Sequence, residues 1–507
     1  MKSISIFPLL LLIAGITRGQ IAPPAFVRDS LESYINRALQ AWELPGVSVA
    51  IVKDGQIVLS KGYGVKEVGK NDPVDENTLF MIGSNTKAMT ATAIALLHVR
   101  KKLSLDDKVV KWLPDFKLRD PWVTKELQIA DLLSHRIGME TFQGDFMYWT
   151  SALTSKEVLE KFGKLTPVYG FRSKWGYTNA AFLAAGEIIP RVTGKPWSLF
   201  LKDSLFIPLG MTRTLALSAE LPNATNKAVP HTLDHEKKLV SIPYCRIDNL
   251  APAGSVSSSA ADMAKWVLMQ LENGRMNGKE IIPASALAMT KTPYSILGNG
   301  GHPFNKSHFS LYGLGWFLEE YSGRKIVSHT GGVNGFVTSV TLIPEEKLGI
   351  IVLTNTDQNG FYEALKWEII DAYLNLPYRN YSNFYLMNSR QQINNEKKTW
   401  KMKADTVAMK NKPALSLDSY TGRYRNEAYG NLQITTAGDA LRLTFEHHPN
   451  LEGILQPLGN NRFFCTYSDP EFGKKVLSFS GDATRIKSLT VYVADFIEFT
   501  PYEFIKQ

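Results

Sequence analysis

The stretch Phe80-Met81-Ile82-Gly83-Ser84-Asn85-Thr86-Lys87 leads into a run, ATAIALLHVRKK from Ala91, that is apolar almost all round. This pattern predicts a buried helix. Ser84 and Lys87 are three residues apart, so on a helix they share one face within hydrogen-bonding range. The spacing alone also fits a polar helix start with a solvated lysine. Ser322 and Lys325 have the same spacing in a predicted turn, where we interpret it as accidental.

Two β-rich blocks flank this stretch. GVSVAIVKDGQIVLSKGYGV, from residue 46 to 65, predicts a hairpin that turns at Asp54-Gly55. A second block, from Lys325 to Thr354, turns at Pro344-Glu345-Glu346. Helical spacing predicts terminal helices over Phe26–Trp42 and Gly360–Leu374, and the long segment between the blocks has a mixed helical pattern. The sequence therefore predicts a discontinuous sheet with an inserted helical lobe.

The C-terminal part of the chain has a different composition. Residues 388–413 are polar and basic, with seven Lys and Arg against Glu396 and Asp405, and predict a solvated linker. Residues 414–507 alternate short β-rich runs with turns, which indicates a small all-β domain, either a barrel or a sandwich. Most of the net charge of +9 lies in that linker, so we expect no nucleic-acid partner.

The N-terminal segment has the order of a secretory signal peptide. Lys2 precedes an apolar run from Ile4 to Ile16, and Thr17 and Gly19 are small residues before a cut at Gln20. An uncleaved anchor is the alternative, but the run is shorter than the roughly 20 residues that span a bilayer. We therefore expect a signal peptide over residues 1–19, a secreted mature protein without a membrane span, and a first domain over residues 20–387.

The sequence has two cysteines, Cys245 and Cys465. Export permits a disulfide between them, and two unpaired, packed cysteines fit the sequence equally well. No paired-cysteine or His-Glu-X-X-His spacing is present, so we expect no metal site and no cofactor.

Ser84 and Lys87 could act together as nucleophile and base. A neutral lysine amine can take the serine proton as the hydroxyl attacks a carbonyl. This requires a lowered pKa for Lys87, because a free lysine is almost fully protonated at neutral pH. A helix N-terminus would also favour the developing negative oxygen.

Two later motifs could complete such a site. In Tyr177-Thr178-Asn179, the phenol could carry a proton to the leaving group and the amide could hold a substrate carbonyl. Seven tyrosines begin a Tyr-X-Asn, so only its position in the chain singles out Tyr177.

In Ser328-His329-Thr330-Gly331-Gly332, the glycines permit close backbone approach, and the amides of Ser84 and Gly332 could form an oxyanion hole. The alternative for His329 is a histidine in a tight strand-end turn. His135 is interpreted as structural.

Taken in order, these motifs resemble the serine β-lactamase and penicillin-binding-protein superfamily, in its class C β-lactamase-like, S12 peptidase-type branch. The framework segments that share the resemblance are LLSHRIG from Leu132, PLGMTRT from Pro208, APAGSVSSSAADMAKW from Ala251 and YGLGW from Tyr312. The match covers roughly residues 25–380. The C-terminal block resembles a small β domain often appended to these hydrolases, and the overall plan resembles secreted animal members of the gigasin type.

The resemblance implies an α/β (α+β) serine β-lactamase/transpeptidase-like fold with an all-helical lobe and the site between the lobes. It implies Ser84 as nucleophile, Lys87 as base and Tyr177 as acid/base partner. Asn179 and the segment of His329, Thr330, Gly331 and Gly332 would bind a small-molecule or peptide substrate.

His329 departs from the antibiotic-hydrolysing members, which usually have a lysine there that binds a substrate carboxylate. A mostly neutral imidazole offers a carboxylate less, so we expect esters, amides or peptides rather than β-lactams. The main hypothesis is a secreted serine hydrolase acting through a Ser84 acyl-enzyme. The alternative is a catalytically weak or inactive member that serves as an extracellular matrix or binding protein.

Overall fold

A computed structural model describes residues 22–507. The predicted signal peptide over residues 1–19 lies outside the described residues. Within them, the first domain is built on an antiparallel eight-stranded sheet. From one edge to the other its strands are Gln56–Gly64, Gly46–Lys53, Leu348–Thr354, Phe336–Ile343, Arg324–Val333, Phe317–Tyr321, Ser310–Tyr312 and Ser295–Gly298.

Both predicted β blocks are confirmed, and they pair with each other through the strands Gly46–Lys53 and Leu348–Thr354, which are second and third from one edge of this sheet. Val47 lies opposite Thr354, so the first and last strands of the domain are neighbours. Asp54 and Gly55 have φ values of 50° and 80°, which is the left-handed backbone that a two-residue hairpin turn requires. Neighbouring strands of this sheet therefore come from segments far apart in sequence, as predicted for a discontinuous sheet.

The strand Gly46–Lys53 is apolar except for Ser48 and Lys53, and it is buried on both faces from Gly46 to Val52. Val47, Val49 and Ile51 face the core formed with the terminal helices, whereas Ala50 and Val52 face the core of the helical lobe. The terminal helices are Leu31–Ala41, preceded by a π-helical turn over Phe26–Ser30, and Phe361–Tyr373. Both lie where the sequence predicts a helix.

The helical lobe is inserted between the two β blocks, as predicted. Its central helix, Thr86–Val99, is buried from Thr86 to Leu97. The other helices of the inserted segment are Val109–Trp112, Pro121–Glu126, Ile129–Leu133, Asp145–Tyr148, Ser155–Phe162, Asn179–Thr193, Trp197–Leu201, Ile207–Leu209, Ala251–Gly254, Ala260–Leu271 and Ala284–Thr290. Short ladders pair Phe80–Met81 with Ser257–Ser258, His231–Leu233 with Leu239–Ser241, and Arg275–Met276 with Lys279–Glu280.

The segment predicted as a solvated linker over residues 388–413 is largely helical. One helix runs from Tyr381 to Ala408, and of its residues Tyr381 is buried. Long polar side chains such as Lys, Gln and Glu are good helix formers, which explains a helix without an apolar face. Lys237 of the first domain contacts this helix in two ways. It forms an ion pair with Glu396 at 2.8 Å, and its amine lies over the ring of Trp400.

The C-terminal domain is a barrel, which decides between the two predicted forms. Its first and last strands pair with each other, Tyr424 opposite Lys506, so the eight strands close on themselves. The strands are Gly422–Asn426, Gly430–Ala437, Ala440–Phe445, Glu452–Gly459, Arg462–Tyr467, Lys474–Gly481, Ile486–Val491 and Tyr502–Lys506. Closure leaves no unpaired edge.

Cys245 and Cys465 are both buried free thiols, so the structure decides for two packed cysteines rather than a disulfide. Burial raises the pKa of each thiol well above its usual range, which makes both poor nucleophiles. In residues 22–507, the helices all lack the length or the apolar character that crossing a bilayer requires.

Candidate active site

Ser84 lies where the sheet and the helical lobe meet. The short strand Phe80–Met81 leads into a 3₁₀ turn over Gly83–Asn85, and the buried helix begins at Thr86. Gly83 has a φ of 52°, and a Cβ there would lie 3.0 Å from the backbone nitrogen of Gly332. A glycine at position 83 permits both this backbone conformation and this close approach. Ser84, the next residue, therefore lies beside the strand Arg324–Val333 at the start of a helix.

Lys87 is fully buried beside Ser84. Its Nζ lies 2.9 Å from Ser84 Oγ, 2.6 Å from Asn179 Oδ1 and 2.8 Å from the carbonyl oxygen of Ala253. Burial lowers the pKa of Lys87 to about 7, against a smaller opposing effect of the Asp145 carboxylate. A substantial fraction of the amine is thus neutral near pH 7, and the neutral form can accept the Ser84 proton.

Tyr177 packs over the same amine. Lys87 Nζ lies 4.7 Å from the centre of the Tyr177 ring. Burial raises the pKa of the phenol well above its usual range, and a hydrogen bond with Ser84 offsets this only in part. The phenol is therefore protonated at neutral pH, so it can give a proton to a leaving group.

Asn179 holds the lysine, and Asp145 holds Asn179. The Asn179 carbonyl oxygen accepts from Lys87, and its Nδ2 donates to Asp145 Oδ2 at 2.6 Å. Burial raises the pKa of Asp145 to about 7. The sequence analysis missed Asp145, because it belongs to no motif and reaches the site only through tertiary packing. Both ends of the Asn179 amide are occupied within the protein, and its predicted substrate contact stays a prediction.

The strand that contains the His329 motif runs past Ser84. A Cβ at Gly331 would lie 1.8 Å from the carbonyl oxygen of Ile82, so glycine is required for this approach. Thr330 and Gly332 are half-buried, whereas Gly331 between them is buried. Alternate residues of the strand thus face the open side, where an extended substrate could lie. The proposed oxyanion hole from the amides of Ser84 and Gly332 stays a prediction that this placement favours.

His329 is buried, and both of its ring nitrogens have partners. Nδ1 lies 2.6 Å from the carbonyl oxygen of Thr330, and Nε2 lies 3.0 Å from the hydroxyl of Tyr312. Since a carbonyl can only accept, Nδ1 carries the proton and the Tyr312 hydroxyl donates to Nε2. Burial and the nearby charge of Lys87 lower the pKa of His329 to about 3. The imidazole is therefore neutral, as the sequence analysis expected.

His135 has the structural role that was predicted for it. Its Nδ1 accepts a hydrogen bond of 3.0 Å from the backbone nitrogen of Thr178, and its ring packs 4.3 Å from that of Tyr177. Its φ of 57° is rare for a side-chain-bearing residue, so tertiary contacts hold it there. His135 thus supports Tyr177 from behind.

Comparison with known proteins agrees with this geometry. The family model for beta-lactamase matches residues 31–375. The chain belongs to the beta-lactamase family. A second family model, a domain of unknown function (DUF3471), matches residues 408–504, which covers the barrel.

Relatives of this beta-lactamase-family protein include fungal hydrolases. It is 30% identical to unguisins hydrolase ungD' of Aspergillus campestris, over 79% of this chain and 76% of that protein. It is 26% identical to unguisins hydrolase ungD of Aspergillus violaceofuscus, over 82% and 80% respectively. The octameric penicillin-binding protein homologue from Pyrococcus abyssi shares the fold with a TM-score of 0.61 at 24% identity, over 94% of this chain and 99% of that one.

The site of this beta-lactamase-family protein is of the serine-hydrolase kind. It joins a half-exposed serine, a buried lysine of lowered pKa and a protonated tyrosine. Among the described residues, no group of three or more His, Cys, Asp and Glu side chains is placed to hold a metal ion. The chemistry that these residues support is attack of Ser84 on a carbonyl.

Proposed function

We propose that this protein is a secreted serine hydrolase that cleaves ester, amide or peptide bonds through an acyl-enzyme on Ser84. The observation that carries the proposal is the buried amine of Lys87, 2.9 Å from Ser84 Oγ, with its pKa lowered to about 7. The relatives whose names describe hydrolases support the same class of reaction. Export rests on the signal-like segment over residues 1–19.

The reaction follows from the position of each group. Neutral Lys87 accepts the Oγ proton as Ser84 attacks the carbonyl carbon, and the carbonyl oxygen turns toward the amides of Ser84 and Gly332. Tyr177 donates its proton to the leaving group, and the proton taken by Lys87 restores the phenol. Water then attacks the acyl-enzyme, the Oγ–acyl bond breaks, and Ser84 regains its proton.

The neutral side chain of His329, at a position where antibiotic-hydrolysing members have a lysine cation, narrows the class of substrate. A neutral, buried His329 supplies no cation for a substrate carboxylate, and burial makes its protonation unfavourable above about pH 3. We therefore propose that β-lactams are poor substrates, with weak or absent β-lactamase activity. Uncharged esters, amides or peptides place no carboxylate at this position.

Intact-mass analysis after treatment with a fluorophosphonate, and separately with a penicillin, tests the proposal. We expect one fluorophosphonate adduct that Ser84→Ala abolishes without unfolding the protein, and little or no penicillin adduct. Ser322→Ala is the matched control, because Ser322 and Lys325 repeat the spacing where a turn enters a strand rather than on a helix. No adduct on well-folded wild-type protein would contradict the proposal and support a binding or matrix role.

A further inference from the structure

A segment of the barrel domain reaches across to the catalytic site. It runs from Val493 to Thr500, between the last two barrel strands, and a Cβ built at Gly332 would lie 3.3 Å from Cε2 of Phe496. Phe496 also packs edge-on against Trp149, with ring centres 6.3 Å apart. Trp149 in turn donates from Nε1 to Asn334 Oδ1 at 2.9 Å. An aromatic side chain from the second domain therefore lies beside the strand along which a substrate would lie.

A second aromatic residue of the same segment lies on the other side of the site. Phe499 stacks on Phe142, with ring centres 5.6 Å apart and planes at 23°. Phe142 meets the ring of Tyr177 edge-on, also at 5.6 Å. The segment thus reaches Gly332 through Phe496 and the Tyr177 side through Phe499. Both rings stay partly exposed, 37% for Phe496 and 50% for Phe499, so each has a surface that a ligand could contact.

Hydrogen bonds of Glu498 fix the segment to the first domain. Glu498 is buried, and its carboxylate accepts from the backbone nitrogens of Gly144 at 2.8 Å and Phe146 at 3.0 Å. The hydroxyls of Tyr429 and Tyr502 donate to the same carboxylate. Burial raises the pKa of the Glu498 carboxyl to about 8, and these four hydrogen bonds oppose that rise only in part. Phe496 is therefore fixed within two residues of a buried anchor, and it can act as a rigid wall.

Phe496 and Phe499 lie next to different groups of the site, and this difference bears on which part of a substrate each ring would contact. The reacting carbon bears Ser84 Oγ, the oxyanion at the amides, a leaving group next to Tyr177 and the acyl group, which takes the remaining direction. Phe496 lies against Gly332, whereas Phe499 stacks on Phe142, which packs on Tyr177. We propose that Phe496 of the barrel domain limits the acyl pocket and makes the enzyme selective for short apolar acyl groups.

This inference rests on the proposed Ser84 hydrolase function, and it assigns the barrel a part in specificity. Adding or removing a single methylene in an apolar pocket changes relative rates by about 10–200-fold. Removing a phenyl ring from the wall should therefore relax the size limit strongly. The effect should be confined to substituents that stay on Ser84, because the leaving group departs on the side of Tyr177.

The test compares two fluorophosphonates that share the fluoride leaving group and differ in one substituent, ethyl or benzyl. Their second-order rates of adduct formation on Ser84 are measured by intact mass. We expect the wild type to prefer the ethyl reagent, and Phe496→Ala to raise the benzyl-to-ethyl rate ratio by about tenfold or more. Phe496→Leu should fall between the two. Phe309→Ala is the matched control, because Phe309 is 64% exposed and its ring contacts that of His308 rather than the barrel segment, so its ratio should stay at the wild-type value.

Each outcome distinguishes the two proposals. If adducts form but the ratio is the same in Phe496→Ala and wild type, the acyl-wall inference is wrong and the hydrolase function stands. If Phe499→Ala shifts the ratio and Phe496→Ala does not, the assignment of sides is wrong. If folded wild-type protein forms no adduct with either reagent, the hydrolase function fails, and the inference fails with it.

Discussion

The negative charge of Asp145 should raise the pH at which the catalytic lysine becomes neutral, against the larger lowering of its pKa by burial. Asn179 bridges Lys87 and Asp145 through two hydrogen bonds of 2.6 Å. At a charge separation of about 7 Å and an effective dielectric constant of about 20, the attraction is about 2.4 kcal/mol, or about 1.7 pKa units. Since the pKa of Asp145 is itself about 7, the carboxyl is only partly ionised there, and we expect about 1 unit of effect.

The sign follows from the charges. Acylation needs neutral Lys87, so the rate should rise with pH through about 7 and level off above it. Asp145→Asn removes the carboxylate that favours the lysine cation, which lowers the pKa of Lys87 further. The midpoint of the pH–rate profile should therefore move down by about 1 unit. The amide keeps an oxygen that can accept from Asn179, so the geometry of the bridge is retained.

The assay is the rate of fluorophosphonate adduct formation between pH 5 and 9, followed by intact mass. Asp405→Asn is the matched control, since Asp405 is exposed and pairs with Lys401 on the long helix. Thermal unfolding of both variants checks that the fold is retained. A folded Asp145→Asn variant whose midpoint stays at the wild-type pH, or rises, would refute the account of how Lys87 is tuned.

Three further predictions concern single side chains. Glu498→Ala leaves four hydrogen-bond donors without their acceptor and should lower the free energy of unfolding by about 3 kcal/mol in urea titrations, with Glu498→Gln losing less; equal stability to wild type would contradict the role of Glu498 as an anchor. Gly331→Ala places a Cβ 1.8 Å from the Ile82 carbonyl and should slow adduct formation at least about tenfold, whereas an unchanged rate would show that the strand can shift. Tyr177→Phe should slow hydrolysis of an anilide more than that of an activated ester, because only the poor leaving group needs the phenol proton; equal slowing would exclude this role.

Much of the catalytic centre could be predicted because its motifs are local. Ser84 and Lys87 lie on one helical turn, and the glycines after His329 mark a close approach of two backbones. Five of the eight strands of the sheet could be predicted for a similar reason, since β-rich runs with turn residues between them mark the two predicted blocks; the three short strands between residues 295 and 321 were not predicted. These signals depend on neighbours within a few residues, which a sequence shows directly.

The parts that could not be predicted depend on distant contacts or on weak patterns. Asp145 and Phe496 reach the site through packing between elements far apart in sequence, and no spacing rule marks them. The helix Tyr381–Ala408 lacks an apolar stripe, so the polar segment was interpreted as a linker. The pairing of Cys245 and Cys465 stayed open because connectivity is set by the fold, which keeps both thiols free.

The acyl-enzyme itself is the most direct test of the central claim. A p-nitrophenyl ester is mixed with the protein, the reaction is quenched in acid during turnover, and the protein is digested for mass spectrometry. The account predicts the mass of one acyl group on the peptide that contains Ser84, absent from Ser84→Ala. Steady hydrolysis of the ester that persists in Ser84→Ala, with no acylated peptide in the wild type, would contradict it.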